Sequence, residues 1–181
     1  MDIREIKAIV DSRVAASAPL YRWVDDKGAL AYIRRDAMVG RTKHYIPKAM
    51  IPNVNKYGRA TWFTGLSFSR DDARWNIAGS CCFVVSGIPN DCFNINGQAV
   101  YNYGQAVASR SCGPDELQQY EQNAVEDSQN EPDETFVVGN IQMLSKYLAE
   151  IRIKNSIPPK VLAAVRSYSE QNNIQLTVVG Q

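Results

Sequence analysis

Three short stretches of this chain hold the side chains best suited to chemistry. Arg22 stands in Pro19-Leu20-Tyr21-Arg22-Trp23-Val24, Ser67 and Ser69 flank Phe68, and Glu131-Pro132-Asp133-Glu134 runs into Thr135-Phe136-Val137-Val138. Arg22 sits mid-strand, so Tyr21 and Trp23 face the opposite side of the sheet. An inward arginine needs an anion, and its planar fork matches a phosphate bidentately. Ser67 and Ser69 are two apart on a strand, which turns both hydroxyls to one face and Phe68 to the other. Two hydroxyls can donate to and accept from a ribose or an amide. Trp62, Phe63 and Gly65 bring aromatic surface and close backbone approach to the same place. Glu134 begins a strand on the side of Phe136 and Val138, with Glu131 just upstream and Pro132 stiffening the turn. A carboxylate held beside a sugar can accept from its hydroxyls and favour the positive charge that develops as a glycosidic bond breaks. Each stretch also has a plain reading: an outward arginine on an edge strand, a half-exposed polar face, and a solvated acidic turn.

The elements around these residues are many short strands and a few helices without a regular βαβ rhythm, so the expected class is α+β. Ile3, Ile6, Val10 and Val14 predict an amphipathic helix over 2–16, ended by Pro19. A strand over 20–24 leads to a turn at Asp25-Asp26-Lys27-Gly28. Leu30, Ile33, Ala37 and Met38 then suggest a helix stopped by Gly40. Residues 40–60 have no sustained period and read as a long loop bordering a ligand site. Strands are expected over 61–69, 80–86, 91–95, 99–103, 134–138 and 151–153, with Asn96-Gly97 as a hairpin turn. Residues 70–75 and 144–148 read as helical turns, and 114–129 as a polar helix. Ser156 is the expected N-cap of a helix opened by Pro158 and Pro159, and Ile174, Leu176 and Val178 alternate as a final strand.

Composition narrows the classes. The 181 residues suit one domain, and 45% hydrophobic with 22% charged residues is ordinary for a globular chain. The apolar run Cys81-Cys82-Phe83-Val84-Val85 is far short of a membrane span, and the charged N-terminus lacks a secretory core. Four cysteines without C-x-x-C spacing and the single His44 argue against a metal site. Cys81 and Cys82 point to opposite faces of a strand, which suits buried free thiols and a reducing cytoplasm. Twenty Lys+Arg against nineteen Asp+Glu leave a net charge of +1, too little for a general nucleic-acid binder. Arg34, Arg35, Arg41, Lys43, His44 and Lys48 form a local basic stretch that reads as a solvated face or loop.

In this order the stretches resemble the Arg–Ser–Glu class of mono-ADP-ribosyltransferases. Gly65-Leu66-Ser67-Phe68-Ser69-Arg70-Asp71 with Trp75, and Glu131 through Ile141 running into Leu144-Ser145-Lys146-Tyr147-Leu148, resemble phage-encoded members of that fold. The resemblance covers about residues 18–154 and leaves 156–181 as a helix–strand extension of a single domain. It implies two packed small β-sheets around an NAD cleft with flanking helices. It also implies NAD as substrate, a protein acceptor, and the host cytoplasm if phage-encoded, while the composition read above argues against a metal, a membrane partner or a nucleic-acid partner. Arg22 would bind an NAD phosphate or the adjoining ribose, and Ser67, Phe68 and Ser69 would form the nicotinamide-ribose side of the site. Glu134 would be the catalytic acid, with Asp133 and its partner Glu131 as the alternative if the register shifts by one. Pro132 replaces the Glu or Gln found two residues before the catalytic Glu in arginine-modifying members, so an arginine acceptor is not expected. A non-catalytic module of the same fold that binds a protein partner is the competing reading, followed by an NAD glycohydrolase.

Overall fold

Strand-forming runs organise both units into which the described residues, 18–51, 62–71 and 79–180 of this computed structural model, divide. One unit comprises the described parts of Gly40–Ser67 and Asp91–Gly139; the other comprises those of Ser17–Val39, Phe68–Asn90 and Asn140–Gln181.

In the second of these, alternating Leu20-Tyr21-Arg22-Trp23-Val24 makes β1 (Leu20–Val24), which ends at Asp25. The Asp25 carboxylate accepts from the Gly28 N–H at 2.7 Å and so starts α1 (Asp26–Arg35). Asp26 in its first turn and Arg34 and Arg35 in its last complement the helix dipole. The helix stops at Asp36, left-handed at φ 46°, and hands over to β2 (Ala37–Met38). The apolar run at 81–85 is β5 (Cys81–Val85), which pairs antiparallel with β1, Arg22 opposite Phe83. β9 (Leu148–Lys154) lies antiparallel to β5 on its other side, and β10 (Gln175–Val179) is parallel to β9. That parallel pair needs a crossover, which α4 (Pro159–Asn172) supplies. α1 packs beside α4 and sets Tyr32 edge-on to Phe83 at 5.5 Å. Phe83, Ile151, Leu144 and Val165 are fully buried there, each stabilising the fold by about 1.5–3 kcal/mol. β2 pairs with β8 (Ile141–Gln142) as a small separate sheet.

The other unit orders its strands β3-β4-β7-β6: β3 (Thr42–Tyr45), the first part of β4 (Trp62–Ser69), β7 (Glu134–Val138) and β6 (Cys92–Ile95). Phe63, Phe93 and Phe136 fill its core, with Phe63 edge-on to Phe93 at 5.4 Å and Phe93 stacked on Phe136 at 6.4 Å. Gly65 is what lets these strands close up. A β-carbon on it would run into the Val137 carbonyl and the Phe136 ring, and the Gly40 position is pressed against its backbone from another side. α2 (Gly97–Ser109) and α3 (Pro114–Asn130) pack together, burying Ala99, Tyr103 and Ala124 against Tyr45.

The α+β class stands, as do the strands expected over 20–24, 80–86, 91–95 and 134–138 and the helix over 114–129. Several expectations are corrected. Residues 97–109 are helical, because Asn96 caps a helix whose Ala99, Tyr103 and Val107 share one face. Asp25 to Gly28 is a helix start rather than a turn, and Ala37 and Met38 are strand because the helix has already ended at Asp36. Within the expected loop over 40–60, Thr42–Tyr45 is strand and Lys48–Met50 a 3-10 turn. Pro158, without a side-chain bond, takes the N-cap position expected of Ser156. The helix expected over 2–16 and residues 52–61 lie outside the described residues, as do residues 72–75, with Trp75, of the helical turn expected over 70–75. Cys81, Cys82 and Cys92 are buried free thiols. No helix among the described residues is long and apolar enough to cross a membrane, and no group of three or more His, Cys, Asp or Glu among them could hold a metal ion.

Candidate functional site

The acidic segment is gathered at one junction, between the end of β6 and the start of α2. β6 pairs antiparallel with β7, Ile95 opposite Glu134, and the Asp133 N–H donates to the Ile95 carbonyl at 3.2 Å. Asn96 then works in three directions. Its side-chain oxygen accepts from the Ala99 N–H at 3.1 Å, its Nδ2 donates to the Glu131 carbonyl at 3.2 Å, and its own N–H donates to the Ser128 hydroxyl at 2.8 Å. The next residue, Gly97, donates its N–H to Asp133 Oδ1 at 2.9 Å. Asp133 is thus a helix-start carboxylate, where an anion meets unsatisfied N–H groups and the positive end of the dipole. Glu131 is exposed and joins the junction through its backbone.

Glu134 is half-buried, on the sheet face it shares with Ile95 and Phe136. Its carboxylate lies over the Cα of Gly97, in the space that a side chain at that position would occupy. A carboxylate seated against a helix start offers a negative charge of the kind that electrostatic stabilisation of a developing cation uses.

Arg22 is positioned in the other unit. β1 turns it to the Phe83 side of the sheet, where its Nε donates to the Tyr32 hydroxyl of α1 at 3.0 Å. Its guanidinium carbon stands 6.0 Å from the centre of the Phe68 ring. Phe68 itself is fully buried, so it braces Arg22 rather than lying open. A guanidinium is the side chain whose paired donors match a phosphate bidentately.

Ser69 is a different case. It pairs with Tyr21 across the sheet and therefore shares the face of Tyr21, opposite to Arg22. Its hydroxyl donates to the Asp71 carbonyl at 2.5 Å and accepts the Asp71 N–H at 3.1 Å, so it shapes the end of β4. The Tyr21 face also carries Arg152 and Lys154, set over the rings of Tyr21 and Trp23 at 5.2 and 5.4 Å. Ser67, half-buried, follows the same alternation along β4 as Ser69. The structure thus brings Arg22 together with Phe68, and Glu131, Asp133 and Glu134 with one another; it parts Ser69 from Arg22.

The basic stretch is divided. Arg34 and Arg35 close α1, while Arg41, Lys43 and Lys48 are exposed around β3. His44 turns inward, its ring 4.7 Å from that of Phe136; burial holds its pKa below the usual value, against a backbone hydrogen bond at Thr42 that raises it.

Residues that sequence reasoning missed are the supports: Tyr32 behind Arg22, and Asn96 and Gly97 behind the acidic segment. The signal for Tyr32 was its place in a helix that follows β1 directly. For Gly97 it was the helical spacing of Ala99, Tyr103 and Val107 after an asparagine. No protein-family model matches the chain, and no curated protein is significantly similar to it.

Proposed function

We propose that the protein is a mono-ADP-ribosyltransferase of the ADP-ribosyltransferase fold, transferring ADP-ribose from NAD to a side chain of a target protein. The observation that carries this reading is the division of labour in the acidic segment. Asp133 is bonded to the start of α2, while Glu134 presents a packed carboxylate from the first residue of β7. That division favours Glu134 over Asp133 as the catalytic residue. By the resemblance, Arg22, steadied by Tyr32, is assigned to the dinucleotide phosphates and Ser67 to the nicotinamide ribose. The bond from the ribose anomeric carbon to the nicotinamide nitrogen breaks, and its electron pair leaves with nicotinamide, neutralising the pyridinium. Glu134 accepts from the ribose hydroxyls and stabilises the oxocarbenium-like transition state. The target's nucleophile then bonds to the anomeric carbon and releases its proton to water.

Labelled NAD incubated with a bacterial lysate is the test. Wild type labels a protein and releases nicotinamide; Glu134→Gln lowers the rate about 100–1000-fold, the usual effect of losing one preorganised charge-stabilising group. Label and NAD consumption no different from Glu134→Ala would count against the proposal.

A non-catalytic module of the same fold is favoured by one observation, the opposite facing of Ser69 and Arg22. Calorimetric titration with NAD separates the two readings: binding that Arg22→Ala abolishes supports the transferase, and no binding supports the module.

A further inference from the structure

We infer that Gly97 is the positioning residue for Glu134, an inference that rests on the reading of Glu134 as the catalytic carboxylate. Gly97 is the first residue of α2, following the cap at Asn96, and its φ is not in the left-handed region. On backbone grounds alone alanine is the better residue there, since it restricts the unfolded chain and favours helix. What opposes it is the Glu134 carboxylate. The three heavy atoms nearest to a β-carbon at Gly97 are Glu134 Oε1, Cδ and Oε2, and even the farthest, Oε2, would stand only 3.1 Å away.

The surroundings decide which partner would move. The backbone on both sides is fastened by the Ile95–Glu134 strand pairing, by Asp133 N–H to Ile95 carbonyl at 3.2 Å, and by Gly97 N–H to Asp133 Oδ1 at 2.9 Å. The Glu134 carboxylate ends a flexible side chain, so it alone gives way. A methyl group at position 97 therefore shifts the carboxylate while leaving helix and strand in place. Glycine here is a requirement of the site rather than of the helix.

The test is a cycle of wild type, Gly97→Ala, Glu134→Ala and the double variant, read by thermal unfolding and by nicotinamide release. Gly97→Ala is expected to lower kcat about 100-fold, as a displacement of an ångström in a reacting group does, with KM for NAD nearly unchanged. It should also lower Tm by about 2–4 °C relative to its effect in the Glu134→Ala background, where the overlap is gone. Glu134→Asp combined with Gly97→Ala should recover that Tm, because the shorter carboxylate clears the methyl group. Equal Tm changes in both backgrounds overturn the inference, and so does an unchanged kcat in Gly97→Ala. A wild type that cleaves no NAD refutes the proposed activity, whereas the Tm coupling still decides whether Gly97 sets the place of Glu134.

Discussion

Removing the Tyr168 hydroxyl should measurably loosen the unit that holds Arg22, through Asp36. That aspartate accepts from the Tyr168 hydroxyl at 2.5 Å and the Ser145 N–H at 2.7 Å on Oδ1, and from the Ser145 hydroxyl at 3.0 Å on Oδ2. Its carbonyl accepts the Leu144 N–H at 2.8 Å, so one residue in a left-handed conformation ties α1, the turn before β9 and α4 together. Hydrogen bonds to a charged acceptor contribute about 1.5–3 kcal/mol each. Tyr168→Phe removes one and leaves the two from Ser145, so it should cost about 1.5–3 kcal/mol. At about 2–4 °C per kcal/mol for a chain of this size, Tm falls by roughly 3–12 °C. Asp36→Ala removes all three and strands the buried Tyr168 hydroxyl, so it should cost about 3 kcal/mol or more, short of the simple sum. Differential scanning calorimetry of both variants and their double is the assay. A Tyr168→Phe effect that is the same size with and without the Asp36 carboxylate would refute the reasoning, because the hydroxyl would then owe nothing to that bond.

Other outcomes follow from the burial pattern and the packing. Gly65→Ala should cost about 1–3 kcal/mol or more by forcing β4 from β7, checked by the urea midpoint. Of the four cysteines, Cys112 is the partly exposed one, so a thiol reagent should find one fast group in the native protein and four after unfolding. Burial, with some help from Asp91, pushes the Cys92 thiol up to about 12, and burial also raises Cys81. The native state keeps those protons while the unfolded chain releases them above about pH 8.5, so stability should fall as pH rises through and beyond that value. His44 has the opposite sense: its lowered pKa makes the unfolded chain bind the extra proton first, so stability should decline below about pH 6.5, and His44→Phe should flatten that limb.

The strands were legible wherever an apolar run decided them, as at Cys81–Val85 and Glu134–Val138. Local dipeptides misled where a longer pattern should have ruled. Asn96-Gly97 carries the strongest hairpin signal, yet the helical spacing beyond it makes Asn96 a cap, and the correction moves Gly97 into the site. Asp36 was hidden for a different reason: its partners Ser145 and Tyr168 are 109 and 132 residues away, and no local pattern announces such a bond. The acidic segment was legible as residues but not as roles. Only the bond from Gly97 to Asp133 separates a helix-start carboxylate from Glu134 beside it. Likewise the alternation of Ser67 and Ser69 was readable, whereas the side of Ser69 relative to Arg22 depended on its pairing with Tyr21.

Nicotinamide release from NAD, followed by chromatography in the presence of lysate, is the most direct test of the role given to Glu134. Release by wild type that falls at least about 100-fold in Glu134→Gln and persists in Asp133→Asn is the expected result. Release that survives Glu134→Gln, or that disappears with Asp133→Asn while that variant remains folded, would contradict it.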